Sequence, residues 1–293
     1  MHIPALQKEI LKYLEPKPNQ NFIDATIGEG GHALAVLERT SPSGKLLGID
    51  WSPETIENCK LKIKSFKKRA ILVCDNFVNL KEIVKREKFL AVSGILFDLG
   101  MSSWHLEESG RGFSFLKNEP LDMRYNPQNL LTAEKIVNYW SKSEIEKILR
   151  EYGEEQFARK IAEKIVETRT KPIKTTFQLV AIIKKTVPFK YQHRKIHFAT
   201  RTFQALRIAV NDELNNLEKA LPQTLEILKP EGRLVIISFH SLEDRIVKNF
   251  FREQDSISLK VLTKKPIRPK KEEIKINPRT RSAKLRAVIK MTS

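Results

Sequence analysis

The sequence has few cysteines and no long apolar run, and both shortages limit what the protein can be. Cys59 and Cys74 are its two cysteines among 293 residues. They exclude a disulfide scaffold and a cysteine metal cluster. No apolar stretch approaches the roughly 20 residues that a membrane-spanning helix needs. The first residues show no basic segment followed by an apolar block, so we expect no signal peptide. These absences predict a cytoplasmic protein with no membrane partner and no metal.

Acidic residues are also scarce relative to basic ones. There are 53 Lys and Arg against 35 Asp and Glu, a formal net charge of +18. The excess is clustered, because residues 156–211 hold 13 basic and two acidic residues and residues 260–293 hold 12 and two. Solubility alone would explain an even distribution. Two basic segments beside a nearly neutral remainder instead favour a polyanionic partner, above all a nucleic acid.

The first hundred residues alternate between strand-like and helix-like patterns. With 41% hydrophobic residues, the chain can bury a large core. Short apolar blocks that end at loop signals predict strands, and the segments between them have helical periodicity. The strands are predicted at 21–27, 45–50, 70–75 and 93–99, and the helices at 31–39, 53–67 and 79–87. This alternation predicts a parallel sheet covered by helices.

The alternation stops at about residue 107 and returns after residue 202. Between these positions the patterns are helical, with helices predicted at 132–140, 142–151, 155–168 and 176–186. Beyond them we predict a helix at 212–228, a turn at 229–232, a strand at 233–239, a helix at 242–253 and strands at 258–263 and 285–291. The fold class is therefore α/β, with one sheet domain formed by residues 1–106 and 203–293. A helical domain, residues 107–202, is inserted after the fourth strand. Ligands of open α/β sheets bind beyond the carboxyl ends of the strands, so we expect the insertion to cover the active site.

The strongest local signal is a glycine-rich segment at residues 24–33, between the first strand and the first helix. Gly28, Gly30 and Ala33 fit the pattern G-x-G-x-x-G/A. Glycines allow a tight turn and a close approach of a nucleotide to the backbone. Asp50, at the end of the second strand, can accept hydrogen bonds from ribose hydroxyls. Such a turn can exist without a ligand, but Asp50 favours an adenosine-containing cofactor, either a nicotinamide dinucleotide or S-adenosylmethionine.

The next two strand ends carry further candidates. The third strand is followed by Asp75, Asn76 and Phe77, which offer polar groups and a ring to an adenine. The fourth ends at Asp98, which brings a carboxylate to the crevice. The alternative is that these are turn residues and a core ring.

The chain resembles the RsmH (MraW) family, the bacterial small-subunit rRNA cytosine-N4 methyltransferases. The resemblance is carried by short strings that span nearly the whole sequence in the family's order. They are His-Ile-Pro at 2–4, the glycine-rich segment at 24–33, Asp-Leu-Gly at 98–100 with serines at 102 and 103, Arg-Gly-Phe-Ser-Phe at 111–115, Pro-Leu-Asp-Met-Arg at 120–124, Ser-Phe-His-Ser-Leu-Glu-Asp-Arg at 238–245 and Arg-Ser-Ala-Lys-Leu-Arg-Ala at 281–287.

The resemblance implies a Rossmann-like class I methyltransferase fold, a parallel sheet with a late antiparallel strand and an inserted helical substrate-recognition domain. It implies S-adenosyl-L-methionine as cofactor and, as substrate, a cytidine in the decoding region of 16S rRNA, near the P site of the small ribosomal subunit. The family often has glutamine where this chain has His105, whose side chain has a shorter reach. The cofactor contacts are expected at Gly28, Gly30, Gly31, His32, Asp50, Phe77, Asp98 and His105.

Methylation of cytosine N4 needs help from the protein, because the amine lone pair is conjugated into the ring. The site must align nitrogen, methyl carbon and sulfur, and an acceptor for the amine hydrogens would return electron density to the nitrogen. Asp98 is the first candidate for this catalytic role, with Asp24 or the turn at 238–240 as alternatives. His240, which follows a strand end, is a further catalytic candidate. It could equally be a buried, hydrogen-bonded histidine.

The basic segments are expected to hold the RNA while the target base leaves its stack. His193 and His197 belong to the same run and are predicted as further phosphate contacts, although the run could also be a solvated face. The predicted RNA-binding cations are Lys190, Arg194 and Lys195 in the insertion and Lys264, Lys265 and Arg268 in the tail.

Two other functions can use parts of this pattern. A nicotinamide oxidoreductase could use the glycine turn, but it would need a compact substrate domain and not two basic segments. A non-catalytic RNA-binding module would leave the pairing of Gly28 with Asp50, and the carboxylate of Asp98, without a purpose.

Overall fold

A computed structural model of the chain describes residues 4–292, so the His2 and Ile3 of the first string lie outside the described residues. The strands are β1 Asn21–Asp24, β2 Leu46–Asp50, β3 Ala70–Cys74, β4 Val92–Asp98, β5 Leu228–Ser238, β6 Leu259–Val261 and β7 Lys284–Lys290. The helices are α1 Gln7–Leu14, α2 Gly31–Arg39, α3 Pro53–Lys62, α4 Leu80–Arg86, α5 Ser103–Glu107, α6 Ala133–Tyr139, α7 Lys142–Glu151, α8 Ala158–Thr168, α9 Thr176–Thr186, α10 Phe189–Gln192, α11 Thr200–Asn211, α12 Glu213–Ile227, α13 Ser241–Gln254 and α14 Lys271–Ile276.

The seven strands form one sheet in the order β3-β2-β1-β4-β5-β7-β6. The pairs from β3 to β5 are parallel, whereas β7 runs antiparallel to both of its neighbours. This order confirms the predicted Rossmann-like sheet with a late antiparallel strand. The strand order reverses between β1 and β4, and in such sheets the crevice at the reversal is where ligands bind.

The sheet has a buried apolar layer on each face. Ile23, Ile49, Ile95 and Ile236 belong to one layer. Residues one position along the same strands, such as Phe22 and Leu96, belong to the other. Alternate side chains point to opposite faces of a strand, so helices on both sides are needed to cover them. The central strands are therefore held rigidly, and their carboxyl ends are fixed relative to one another.

The predicted turn at 229–232 is wrong in detail. These residues lie within β5, where Val92 pairs with Leu228 and Gly94 pairs with Arg233, so the register shifts across an irregular stretch. Glu231 adopts a positive φ of 62° there. The residues that indicate a turn therefore produce a bulge inside a strand, because the chain resumes pairing with β4 immediately afterwards.

The chain divides into two compact units, residues 1–102 with 214–293 and residues 103–213. The second unit is helical, and α11 packs in it against α6 and α7. The predicted insertion ended at residue 202. The second unit extends farther because the pattern at 200–211 is a helix whose buried side chains, including Phe203 and Leu206, belong to that unit.

The central strings of the family resemblance form one folded loop in the second unit. The Met123 N–H donates to the Arg111 carbonyl over 2.8 Å. Gly112 has a φ of 73°, and a Cβ there would lie 2.2 Å from the Pro120 oxygen. No side chain fits at this position, so the loop requires the glycine of its string.

The last two strings meet in the first unit. Asp244, on α13, accepts hydrogen bonds from Arg286 Nε at 2.7 Å and from Lys284 Nζ at 3.2 Å, both on β7. Partial burial favours the neutral acid, but the bonds from Arg286 and Lys284 lower the pKa of Asp244. This ion pair connects α13 to the antiparallel strand. Within residues 4–292, no helix has the length and apolarity that crossing a membrane requires.

Candidate active site

The glycine-rich segment forms a tight loop between β1 and α2. The Thr26 N–H donates to Asp24 Oδ1 at 3.2 Å, which turns the chain out of β1. Gly28 and Gly30 then adopt positive φ angles of 52° and 78°. A Cβ on Gly30 would also lie 2.9 Å from the Cys59 sulfur. The loop thus exposes backbone at the carboxyl end of β1, where a side chain would be strained.

Asp50 ends β2 and contacts the same loop. Its Oδ2 accepts the Gly28 N–H at 3.1 Å, and its Oδ1 accepts the Ser52 N–H at 2.9 Å. Burial raises the pKa of Asp50 to about 6, against the effect of these backbone hydrogen bonds. Each carboxylate oxygen has a further lone pair. Asp50 can therefore hold the glycine loop and still accept from hydroxyl groups of a ligand.

Asp98 and His32 form the centre of the site. His32 Nε2 lies 3.4 Å from Asp98 Oδ2, and the Asp98 N–H donates to Thr26 Oγ1 at 2.6 Å. The His32 side chain is 7% exposed and that of Asp98 is 21% exposed. Within residues 4–292, both ring nitrogens of His32 and Oδ1 of Asp98 are buried without a hydrogen-bond partner. Leaving such groups unsatisfied costs about 1–3 kcal/mol each, which is typical of a site shaped for a polar ligand.

Asp24 lies behind this pair, fully buried at the end of β1. Burial raises the pKa of Asp24 to about 7, an effect that His32 and the hydrogen bond from Thr26 oppose and that Asp98 and Asp50 reinforce. Near neutral pH this carboxyl group therefore exchanges between its charged and neutral forms. From the sequence alone, Asp24 is only an alternative to Asp98 for the catalytic role.

The turn after β3 carries the predicted adenine contact. Phe77 lies edge-on to Phe97, with ring centroids 5.6 Å apart. Asp75 Oδ1 accepts from the Asn76 N–H at 2.8 Å and from Asn79 Nδ2 at 3.0 Å. The Asn76 side chain caps the short helical turn that begins at Phe77. Asp75 and Asn76 thus shape the turn, and half-buried Phe77 presents part of its ring.

His240 is the N-cap of α13 and is bound to Glu243. Its Nδ1 accepts the Glu243 N–H at 3.4 Å, and its Nε2 lies 3.1 Å from Glu243 Oε1. Glu243 Oε2 in turn accepts the Phe239 N–H at 2.8 Å. These are the contacts of the buried, hydrogen-bonded histidine that the sequence left as an alternative. Among residues 4–292 its Nε2 is buried without a hydrogen-bond partner, so the catalytic role of His240 stays a prediction.

His105 lies on α5 in the second unit, inside a group of rings. Its ring is edge-on to Trp104, Phe113 and Tyr125, with centroid distances of 5.3, 5.1 and 4.9 Å. Phe113 also stacks on Tyr125 at 5.3 Å. The ring of His105 thus contributes to packing in this unit, and its cofactor contact stays a prediction.

The predicted RNA-binding cations all reach solvent. In the insertion they follow α9, and in the tail they lie between β6 and α14. His197 differs from the prediction, because it stacks on Phe115 at 4.5 Å, its Nδ1 accepts the Ala199 N–H, and burial lowers its pKa. A neutral, stacked ring is a poor phosphate contact. The exposed cations are Lys190, Arg194, Lys195, Lys264, Lys265 and Arg268.

Thr26 is a site residue that sequence reasoning missed. Its hydroxyl accepts the Asp98 N–H, and its backbone N–H bonds to Asp24, so it joins two strand ends. The available signal was its position two residues after a strand-terminal aspartate, inside the glycine-rich segment.

Known proteins resemble the chain over almost its full length. The model of the MraW methylase family matches residues 1–291. A "Ribosomal RNA small subunit methyltransferase H" of Heliobacterium mobile is 45% identical, over 99% of this chain and 99% of the relative. A protein of the same name from Kosmotoga olearia is 48% identical, over 98% of this chain and 96% of its own length. The crystal structure of an rRNA methylase from Streptococcus thermophilus aligns with a TM-score of 0.47 at 12% identity, covering 100% of this chain and 99% of that one. By its match over nearly every residue, the chain belongs to the MraW methylase family.

Proposed function

We propose that this protein transfers a methyl group from S-adenosyl-L-methionine to N4 of a cytidine in the decoding region of 16S rRNA, near the P site. The observation that carries the chemistry is the buried Asp98–His32 pair at the strand-order reversal. The family membership and the names of the relatives support methylation of small-subunit rRNA. The choice of cytosine as the target base and of N4 as the methylated atom follows from the family resemblance.

The charge of the site fits a sulfonium cofactor. S-adenosyl-L-methionine supplies an activated methyl group on a positively charged sulfur. Three aspartates, Asp24, Asp50 and Asp98, end neighbouring strands around the glycine loop, and carboxylates at short range stabilise a positive charge. The pyrophosphate of a nicotinamide dinucleotide is negative, so the same carboxylates oppose it. Family and electrostatics both favour the methylase over the oxidoreductase.

The individual contacts can be assigned by what each group offers. Asp50 accepts hydrogen bonds from the ribose hydroxyls, and Phe77 covers one edge of the adenine. The backbone of Gly28, Gly30 and Gly31 is proposed to contact the cofactor. A Cβ on Gly30 or Gly31 would collide with Cys59 or Pro4, so the tight loop depends on these glycines. The buried ring nitrogens of His32 provide a donor and an acceptor that this part of the protein leaves unused. His105 is a further proposed contact.

Asp98 is the group best placed to act on the amine. Its free Oδ1 can accept a hydrogen bond from the amine and so direct the nitrogen lone pair toward the methyl carbon. When the nitrogen–carbon bond forms and the carbon–sulfur bond breaks, the amine must lose a proton, and Asp98 can accept it. His32 Nε2 lies 3.4 Å from the other carboxylate oxygen and makes no hydrogen bond to it, so it stays available to the ligand.

RNA binding is assigned to the basic segments. The helical unit, residues 103–213, is proposed to recognise the RNA around the target, and its cations Lys190, Arg194 and Lys195 to contact phosphates. Lys264, Lys265 and Arg268 of the tail are proposed as a second set. Such contacts fix the position of the substrate and contribute no base specificity.

Methylation of purified ribosomal subunits tests the function. Small subunits from a strain that lacks the gene should accept label from S-adenosyl-L-methionine, and large subunits should not. Mass spectrometry of nuclease fragments should then locate one N4-methylcytidine in the decoding region. Label on another base or atom would contradict the assignment of the product, and no label on small subunits would contradict the function.

A further inference from the structure

An exposed aromatic ring lies among the cations of the second unit. We define the 189–196 segment as helix α10 and the four residues after it. Phe189 is 76% exposed and Ile196 is 51% exposed. The ring centroids of Phe189 and His193 are 4.1 Å apart, and His193 Nδ1 lies 2.9 Å from the Phe189 carbonyl oxygen. A large apolar side chain at this exposure has an open face, and its neighbour holds the ring in place.

The base of the segment is anchored in the unit. The Tyr191 hydroxyl donates to Glu155 Oε2 at 2.9 Å, and Glu155 is 3% exposed. Gln192 Nε2 donates to the carbonyl oxygens of Lys184 and Val187 at 2.9 and 3.1 Å. The buried bond to Glu155 and the two bonds to the end of α9 and the residue after it fix α10, so Phe189 is presented on a fixed backbone.

The surroundings of Phe189 are positive. Lys190, Arg194 and Lys195 are exposed, and no aspartate or glutamate occurs from 168 to 211. Lys190 and Lys195 make no ion pair with any residue between 4 and 292. The Arg194 guanidinium lies 4.9 Å from the Tyr191 ring centroid, and the residue is exposed. Uncompensated cations around an open ring are complementary to a strand with anionic phosphates and flat bases.

We propose that Phe189 is a stacking platform for one unpaired RNA base, with Lys190, Arg194 and Lys195 binding the flanking phosphates. The identity of the strand as ribosomal RNA rests on the proposed function. Proteins bind single strands by this combination of a ring and a basic surface. A membrane surface fits less well, because a four-residue helix with one phenylalanine and one isoleucine offers little apolar area.

Binding of a fluorescent single-stranded RNA of about 16 nucleotides, measured by anisotropy, tests the platform. Phe189→Ala should weaken binding about tenfold, because the base loses its stacking partner. Phe189→Trp should keep wild-type affinity, whereas Phe189→Leu should resemble Phe189→Ala. The dependence on salt should not change in any of them, since no charge is removed. A duplex of the same sequence should show little difference between variants.

Tyr139→Ala is the matched control, because Tyr139 is an aromatic residue of the same unit that is 81% exposed. An equal loss for Tyr139→Ala, or full affinity of Phe189→Leu, would overturn the stacking proposal. So would intact RNA binding by Phe189→Ala with a loss of binding to anionic phospholipid vesicles, which would indicate a membrane contact. Failure of the wild-type protein to methylate small subunits would refute the proposed function, while a tenfold loss on the free RNA would still support the platform.

Discussion

At the ends of β1, β2 and β4, three aspartates lie around the glycine-rich loop, whereas in the 189–196 segment three cations lie in solvent around one exposed ring. Asp24 is buried and Asp50 half-buried, and loss of solvent is the largest cause of their raised pKa values, about 7 and about 6. Lys190 and Lys195 are surrounded by solvent and by other cations.

The difference lies in what controls each set of charges. Exposed charges are screened over about 10 Å at 0.1 M salt, whereas buried charges are screened much less. Buried acids respond instead to pH, because desolvation shifts their ionisation toward neutrality. Binding of the cofactor should therefore depend on pH and little on salt, and binding of RNA should show the reverse.

Replacing Asp98 should have the largest effect. Asp98→Asn keeps the shape of the side chain but removes the charge that orients the amine and accepts its proton. We expect a loss of about 100-fold or more in the rate of single-turnover methylation, with a smaller loss in cofactor affinity, because the interaction matters most in the transition state. Equal losses in rate and in affinity would restrict Asp98 to cofactor binding.

Replacing Asp50 should act on cofactor binding. Asp50→Ala is expected to weaken it by roughly 1.5–3 kcal/mol, the range for hydrogen bonds to a charged group, as measured by calorimetry. Because Asp50 also accepts the N–H groups of Gly28 and Ser52, Asp50→Asn is needed as a second variant that preserves one acceptor. If both variants fold and bind the cofactor with unchanged affinity, Asp50 is not a cofactor contact.

The wild-type protein gives the matching pH test. The pKa of Asp50 is raised to about 6, so the carboxylate that accepts the ribose hydroxyls is progressively lost below that pH. Cofactor affinity should therefore fall between about pH 6.5 and pH 5. Cofactor affinity of Asp50→Asn should not depend on pH in this range. An equal fall in affinity in that variant would show that another group titrates.

Replacing the insertion cations should change salt dependence. Lys190, Arg194 and Lys195 replaced together by alanine should reduce the slope of log affinity against log salt by up to about 2, at about 0.7 per single-strand phosphate contact. Methylation of small subunits should fall at physiological salt and recover in part at low salt. Cofactor affinity should be unchanged.

A triple variant of equal charge in the first unit is the control. Lys64, Lys67 and Lys68 are exposed there, and their replacement by alanine removes the same net charge. An equal change of slope in both triple variants would show that only net charge matters. If the insertion variant keeps the wild-type slope of log affinity against log salt, the RNA-binding surface must instead lie in the tail.

The last expected effect concerns stability and leaves the RNA surface untouched. The folded pKa of Asp24, about 7, exceeds its ordinary value of 3.8, so its favourable contribution is present below pH 4 and is lost as pH rises through 7. Asp24→Asn should therefore gain free energy of unfolding relative to wild type from pH 4 to pH 8, on the order of 4 kcal/mol. Denaturant unfolding at both pH values measures this. Asp75→Asn, a carboxylate whose side chain is 23% exposed, is the control.

Helices with capping side chains could be predicted from the sequence. Ser52 caps α3 before Pro53, and Ser141 and Thr175 form capping boxes at α7 and α9. The helices that sequence analysis missed at 7–14, 189–192, 200–211 and 271–276 have no side-chain cap hydrogen bond. Without a start signal, their periodicity merges with the flanking loops, and packing inside a unit determines them.

In the site, too, features set by neighbouring residues could be predicted, whereas contacts between residues far apart in the sequence could not. The glycine turn and Asp50 are predictable, because a strand end followed by glycines indicates a nucleotide loop. The family resemblance supplied His32 as a cofactor contact, but no pattern indicates that its ring lies 3.4 Å from a carboxylate 66 positions later in the chain. The role of Thr26 as a bridge between strands also depends on the pairing of β1 with β4.

The sequence by itself determined which segments form strands, where glycines allow a positive φ, and that an aspartate ends each of three strands. Local rules suffice for these, because period, capping and backbone freedom act within a few residues. Only the tertiary structure decided that Asp24 and Asp50 are desolvated, that His240 is held by Glu243 and that Phe189 is exposed. Burial and contact are properties of packing between distant segments, and the ionisation and availability of each group follow from them.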